Sequence, residues 1–163
     1  MTQQILPGRD ILAGKLQIPH SPTQHIVLVG GCFDILHLGH ITYLNNAKAK
    51  GDILVVALEN DAFIRNRKKR KPFHTQRQRA QLLTNLKCVD YVLLLPTMRT
   101  HEAYRILVER VKPHVIAVTA GDPLGEKKKL FAQTLGAKYI VVNKLIEGLS
   151  SSTISTYARI LHD

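Results

Sequence analysis

Residues 25–40, His25-Ile26-Val27-Leu28-Val29-Gly30-Gly31-Cys32-Phe33-Asp34-Ile35-Leu36-His37-Leu38-Gly39-His40, decide how the rest of the chain is read. The aliphatic run Ile26-Val27-Leu28-Val29 predicts a buried strand. Gly30 and Gly31 then let the backbone turn tightly and approach a ligand closely. His37 and His40 are three apart, so they share one face if a helix starts here. Gly39 between them removes a side chain where something bulky could dock. A strand, a Gly-Gly turn and paired imidazoles at a helix start form a layout suited to phosphate.

Further aliphatic runs follow at Ile53–Leu58, Tyr91–Leu95, Val115–Val118 and Tyr139–Val142. They are unbroken rather than alternating, which indicates strands covered on both faces. Between them the pattern predicts helices over 41–50, 75–87, 102–111, 127–135 and 152–161, with Gly51 and Gly136 as stops and Pro113 just beyond the third. Strand and helix alternate, so the expected fold is a three-layer α/β with a five-stranded, mainly parallel sheet. Residues 1–24 hold two Gly and three Pro with weak periodicity and read as an N-terminal arm or short helical lead-in to a single domain over 25–163. In such sheets ligands bind beyond the C-terminal strand ends. Four loops with chemical character converge there: Gly30 to His40, the basic stretch Arg65–Lys71, Ala120-Gly121-Asp122, and Ser150-Ser151-Ser152-Thr153.

At 163 residues and 45% hydrophobic, the chain can bury one core. No apolar stretch approaches the roughly 18 residues a bilayer span needs, and Met1 to Asp10 lacks the layout of a signal peptide. Cys32 and Cys88 make no metal-type spacing, so a reduced, cytoplasmic setting is expected, with Cys32 packing rather than reacting. The net charge is +11, and six of the seven residues from Arg65 to Lys71 are basic. Such a balance favours a polyanionic partner, whether nucleic acid, anionic lipid or a nucleoside triphosphate. A basic nucleic-acid-binding module is the non-enzymatic alternative. It is disfavoured because no aromatic residue interleaves the basic run, and because it would leave the histidine, Gly-Asp and serine loops without a purpose.

The string Phe33-Asp34-Ile35-Leu36-His37-Leu38-Gly39-His40 directly after a Gly-Gly strand end resembles the HxGH signature of the nucleotidyltransferase superfamily that holds the small cytidylyltransferases and adenylyltransferases. The resemblance runs over about residues 26–161 and implies a Rossmann-like nucleotidyltransferase fold. It implies an enzyme that moves a nucleotidyl group from ATP or CTP to a phosphorylated small molecule and releases pyrophosphate. His37 and His40 then face the triphosphate, and backbone amides near Gly31, Cys32 and Phe33 meet its oxygens. Arg79 matches an arginine that opens the family's next helix, and counting back from it gives Lys69 or Arg70 as a phosphate contact, with Lys69 preferred. Asp34 fixes a loop or helix start, or else acts as a base. Glu147-Gly148-Leu149 with Ser150, Ser151 and Ser152 resembles the second signature, which closes over the phosphates.

Within the superfamily the chain is similar to the heptose-1-phosphate adenylyltransferase branch of the ADP-heptose synthases, in Tyr43-Leu44 and Gly51-Asp52 and in having Leu145-Ile146 where glycerol-3-phosphate cytidylyltransferases carry Arg-Thr. Archaeal FAD synthases share the same histidine string and a serine-rich end. The loop Thr119-Ala120-Gly121-Asp122-Pro123 keeps only the Gly-Asp core of the heptose branch. The resemblance further implies Mg²⁺, brought by substrate phosphates with Asp34 and Asp122 as candidate carboxylates, and a homodimer.

Overall fold

A computed structural model describes residues 4–144 together with 153, 154 and 156. The predicted final helix over 152–161 and the loop holding Ser150, Ser151 and Ser152 lie, apart from those three positions, outside the described residues.

Among the described residues, six strands form one sheet in which every pairing is parallel. The elements are β1 (Ile5–Pro7), α1 (Gly8–Leu12), β2 (Ile26–Gly31), α2 (Leu38–Lys48), β3 (Ile53–Leu58), α3 (Asp61–Arg67), α4 (Gln76–Thr84), β4 (Tyr91–Leu94), α5 (His101–Val111), β5 (Val115–Thr119), α6 (Gly125–Thr134) and β6 (Lys138–Asn143). The strand order is β1-β4-β3-β2-β5-β6. The five aliphatic runs are thus five of the strands. The sixth, β1, comes from the stretch read as an arm: Ile5, Leu6 and Pro7 pair with Val92, Leu93 and Leu94 of β4. A strand with Pro is suited to the sheet edge, where one side of its backbone needs no partner. The following turn is tight, since a Cβ on Gly8 would sit 2.6 Å from the Leu94 carbonyl oxygen.

Strand alternation divides the core into two layers. Leu28, Val55 and Val118 face α1, α5 and α6, and pack with Ile11, Leu107, Val111 and Ala132. Val29, Val56, Leu58 and Ala117 face α2 and α4, and pack with Tyr43, Leu44, Ala80 and Leu83. All six residues of β3 are buried, as the unbroken aliphatic run requires of a central parallel strand. Truncating Leu54 or Leu58 to Ala here would cost about 2–5 kcal/mol through lost burial and the cavity left behind.

Because the strands are parallel, the loops after β2, β3 and β5 all emerge on one edge. Chain order reverses direction at β2, whose neighbours are β3 on one side and β5 on the other. Such a switch point opens a crevice beyond the strand ends. The structure adds α3 in the stretch expected to be a basic loop. Asn60 caps it by accepting from Phe63 N at 2.9 Å, so Arg65 and Arg67 sit on a helix and the loop proper begins at Lys68.

Candidate active site

The histidine loop is built as its sequence suggests. His37 is the N-cap residue of α2 but makes no side-chain cap, so its imidazole is left for other work. His40 stands one turn on, and the two rings stack with centroids 3.8 Å apart and planes at 24°. Phe33 backs the pair: it is buried in the α2 layer, with its ring 5.0 Å from that of His40. Phe33 adopts φ 46, a left-handed conformation that costs energy for a residue with a side chain. Gly31 makes it possible, since a Cβ there would meet the Phe33 ring at 2.8 Å. Tyr43 anchors the same helix by donating to the Ala117 carbonyl at 2.8 Å.

Burial lowers the pKa of His37. Burial and the neighbouring His37 together push His40 down to about 4. Both rings are therefore neutral at pH 7 in the free protein. Nδ1 of His37 and Nδ1 of His40 are buried without a hydrogen-bond partner. Buried polar atoms are seldom left so. A hydrogen bond with the Ile35 backbone helps hold the His40 ring, and the start of α2 beside the pair favours negative charge.

Asp34 is a loop clip. Its carboxylate accepts from the backbone N–H groups of Phe73 and His74 at 2.9 and 3.1 Å and pairs with the Arg70 guanidinium. Burial alone would raise its pKa, but Arg70 and the two amides outweigh that and hold it below the ordinary range. With both oxygens engaged, Asp34 has neither the basicity nor the free lone pairs of a general base or a metal ligand. The His74 ring also hydrogen-bonds the Asp34 carbonyl at 2.9 Å. Of the two candidates counted back from Arg79, Arg70 is tied to Asp34, while Lys69, at φ 54, is exposed in the turn before it.

Arg79 also departs from its expected role as a contact to substrate. Its side chain is fully buried. Nη1 donates to the carbonyls of Cys32 and Glu59 at 2.5 and 2.9 Å, Nε to that of His74 at 3.2 Å, and Nη2 to the Asp61 carboxylate at 2.7 Å. One guanidinium thereby fastens the turn after β2, the end of β3, the start of α3 and the loop before α4. It is a positioning residue, and a rigid five-donor fork is the group such a junction needs.

Cys32 is half-buried, and burial raises its thiol to a pKa of about 11, so it is not a nucleophile. Gly30 is the next-to-last residue of β2, opposite Ala57, and Gly39 is the second residue of α2. Gly121 turns the chain after β5 at φ 75. Asp122 is committed to the start of α6: Oδ1 accepts from Leu124 N at 2.8 Å and Oδ2 from Lys128 Nζ at 2.5 Å. Among the described residues no group of His, Cys, Asp and Glu is arranged to hold a metal ion. The protein atoms seen here therefore build no cage for Mg²⁺, and Asp34 and Asp122 do not fit that part.

Sequence reasoning missed Glu59. It lies one residue past β3, nearly buried, with Oε1 accepting from the Tyr104 hydroxyl at 2.7 Å and Oε2 without a partner. Its signal was a lone acid closing a wholly apolar strand.

Residues 28–156 match the sequence model of a family described as cytidylyltransferase-like. The bifunctional protein HldE of Pelobacter propionicus is 33% identical over 152 residues, which are 91% of this chain and 30% of that protein. HldE of Helicobacter hepaticus is 42% identical over 130 residues, 79% of this chain and 25% of that one. The chain thus spans less than a third of the length of these relatives. A lipopolysaccharide core biosynthesis protein from Thermoplasma volcanium superposes with a TM-score of 0.61 at 31% identity, covering 76% of this chain and 97% of its own. A pantoate-beta-alanine ligase from Francisella tularensis shares the fold, with a TM-score of 0.62 at 16% identity over 98% of this chain and 78% of its own.

Proposed function

The chain belongs to the cytidylyltransferase-like family, and from that premise we propose that it is a nucleotidyltransferase that moves an NMP group from ATP, or alternatively CTP, to a sugar phosphate such as heptose 1-phosphate. An acceptor phosphate oxygen attacks the α-phosphorus, the bond to the bridging oxygen of the β-phosphate breaks, and pyrophosphate leaves. The observation that carries this reading is the stacked, neutral His37–His40 pair with its two unpartnered Nδ1 atoms at the N-terminus of α2. Such a reaction needs little covalent help; it needs positioning, and donors where charge develops. The two imidazoles and the first amides of α2 supply donors toward the α-phosphate and the departing oxygen. Lys69, Arg67 and Lys68 supply mobile positive charge beside it, and Arg79 and Asp34 hold the surrounding loops.

The sugar-phosphate acceptor is supported by the HldE relatives and by the features shared with the heptose branch. Mg²⁺ belongs to the same proposal, entering on the triphosphate rather than on a protein-built site. So do the homodimer and the cytoplasmic setting; no described helix is long and apolar enough to cross a membrane. The test is pyrophosphate release with Mg²⁺, offering ATP and CTP in turn with heptose 1-phosphate, glycerol 3-phosphate, phosphoethanolamine and FMN. Release that needs ATP and heptose 1-phosphate together is the expected result. Release with only glycerol 3-phosphate and CTP, or only FMN and ATP, would reassign the acceptor, and none with any pair would overturn the reading.

A further inference from the structure

Glu59 is only 7% exposed, and its Oε2 has no partner. It continues β3 by one residue, since its N–H donates to the Gly31 carbonyl at 3.0 Å. Alternation along the strand puts it on the side of Val55 and Ala57, facing α5, and Tyr104 of that helix meets it there. The neighbouring strand offers no bulk on this face: Gly30 stands in register with Ala57, and a Cβ on Gly30 would meet nothing nearer than the Ala57 carbonyl oxygen at 3.8 Å. A niche therefore lies at the strand ends, floored by Gly30 and Ala57 and walled by Glu59 and Tyr104. It adjoins the histidine loop, because one nitrogen of Arg79 binds both the Cys32 and the Glu59 carbonyls.

We propose that this niche receives the polyol part of the acceptor, with the free Glu59 carboxylate oxygen accepting a hydrogen bond from one of its hydroxyls. This rests on the nucleotidyltransferase reading above for the identity of the acceptor. A carboxylate oxygen repels phosphate and takes only a donor, so the niche selects the hydroxyl-bearing end of a sugar phosphate and leaves its phosphate to the basic groups. Burial pushes the Glu59 carboxyl above its ordinary pKa, while the Tyr104 hydrogen bond and the charges of Lys128, Arg79 and Arg67 act the other way. The field of those cations disfavours an ammonium group as the donor. Leaving a buried acceptor unpaired is costly, which is why a site of this kind rejects analogues that lack the matching hydroxyl.

The test is equilibrium binding by calorimetry, using the whole chain with a non-hydrolysable ATP analogue and Mg²⁺. Heptose 1-phosphate and a series of its deoxy analogues, each lacking one hydroxyl, are titrated into wild type and Glu59→Gln. Gln keeps the size and the Tyr104 partner but replaces the free acceptor with a donor. The expected result is a loss of heptose phosphate affinity on the order of 10- to 100-fold in the variant, with ATP-analogue affinity unchanged. One deoxy analogue should bind wild type that much more weakly and be indifferent to Glu59→Gln. If the variant does not fold, the deoxy series on wild type alone decides: no hydroxyl whose removal matters overturns the niche. Equal affinities in wild type and variant overturn it also, as does tighter binding of phosphoethanolamine than of any polyol phosphate. Pyrophosphate release, measured in parallel, separates the two readings. Intact release with equal affinities removes the niche and leaves the function, while the expected binding pattern without release removes the function and leaves the niche.

Discussion

The imidazole rings of His37 and His40 lie face to face, 3.8 Å between centroids, and each carries a buried Nδ1 with no partner. Stacking fixes both rings against Phe33 before any ligand arrives, so their donors need no reorganisation when charge develops. Replacing His40 with Ala is expected to lower turnover on the order of 100-fold or more with the fold intact. Steady-state kinetics beside a circular dichroism melt checks this. Unchanged turnover in a folded variant would remove the pair from the chemistry.

The same pair sets a pH dependence. Burial holds both histidines below their ordinary pKa of 6.5, His40 at about 4. A triphosphate beside them favours the charged form, so binding should take up protons and strengthen as pH falls from 8 toward 6. Calorimetry in two buffers of different ionisation enthalpy measures the uptake, and no proton exchange would contradict it. Without ligand the sign reverses. Between pH 6.5 and about 4 His40 binds more proton in the unfolded chain than in the folded one, so the stability it contributes is present above 6.5 and is lost as pH falls through about 4. His37 acts in the same direction. His40→Gln should flatten that part of the stability curve.

Arg79 joins four segments through one buried guanidinium. Arg79→Ala would leave the Asp61 carboxylate and three carbonyls without their donor, at a cost of about 3–5 kcal/mol. Urea denaturation is the measurement. Arg79→Lys should recover little, since an ammonium cannot span the same carbonyls. A loss below about 1 kcal/mol in the Ala variant would mean that the junction is held by something else.

Two adjacent basic residues should separate cleanly. Arg70→Ala frees Asp34 and the 72–74 loop, and is expected to lower both the melting temperature and turnover. Lys69→Ala, at an exposed position, should leave the melting temperature unchanged and raise KM for the triphosphate in a salt-sensitive way. Equal melting temperatures for the two variants would show that the Asp34–Arg70 clip contributes nothing.

These two residues also mark where the sequence could be read and where it could not. Strands β2 to β6 were legible because each is an unbroken aliphatic run, although only β2, β3 and β5 are buried over most of their length while edge strand β6 leaves Val141 exposed. The strand-end convergence followed from their parallel order. β1 was not: three residues ending in Pro carry no periodicity, and only pairing with β4 makes them a strand. His37 and His40 could be placed because a helix start fixes their spacing. Lys69 and Arg70 could not be ranked by counting from Arg79, because the left-handed turn at Lys69 decides which side chain points inward. Arg79 matches the family's arginine, and nothing in the sequence around it shows that four protein oxygens surround it. Glu59 was hidden because nothing local shows that α5 delivers Tyr104 to it.

Cys32 stands among the candidate binding groups, yet burial raises its thiol to a pKa of about 11. Its thiolate fraction at pH 8 is then on the order of one in a thousand. Iodoacetamide should label it far more slowly in the folded protein than in urea, and Cys32→Ala should keep turnover within a few-fold. Rapid labelling coupled to loss of activity would reopen covalent chemistry at this position.

The most direct measurement follows label from the nucleotide. ATP carrying ³²P at the α- or the γ-position is incubated with the protein, Mg²⁺ and heptose 1-phosphate, and the products are separated. The α-label should appear in a nucleotidyl sugar and the γ-label in pyrophosphate, with His40→Ala slowing both on the order of 100-fold or more. A γ-label on the acceptor, or an α-label left in free nucleotide alone, would contradict nucleotidyl transfer at the paired histidines.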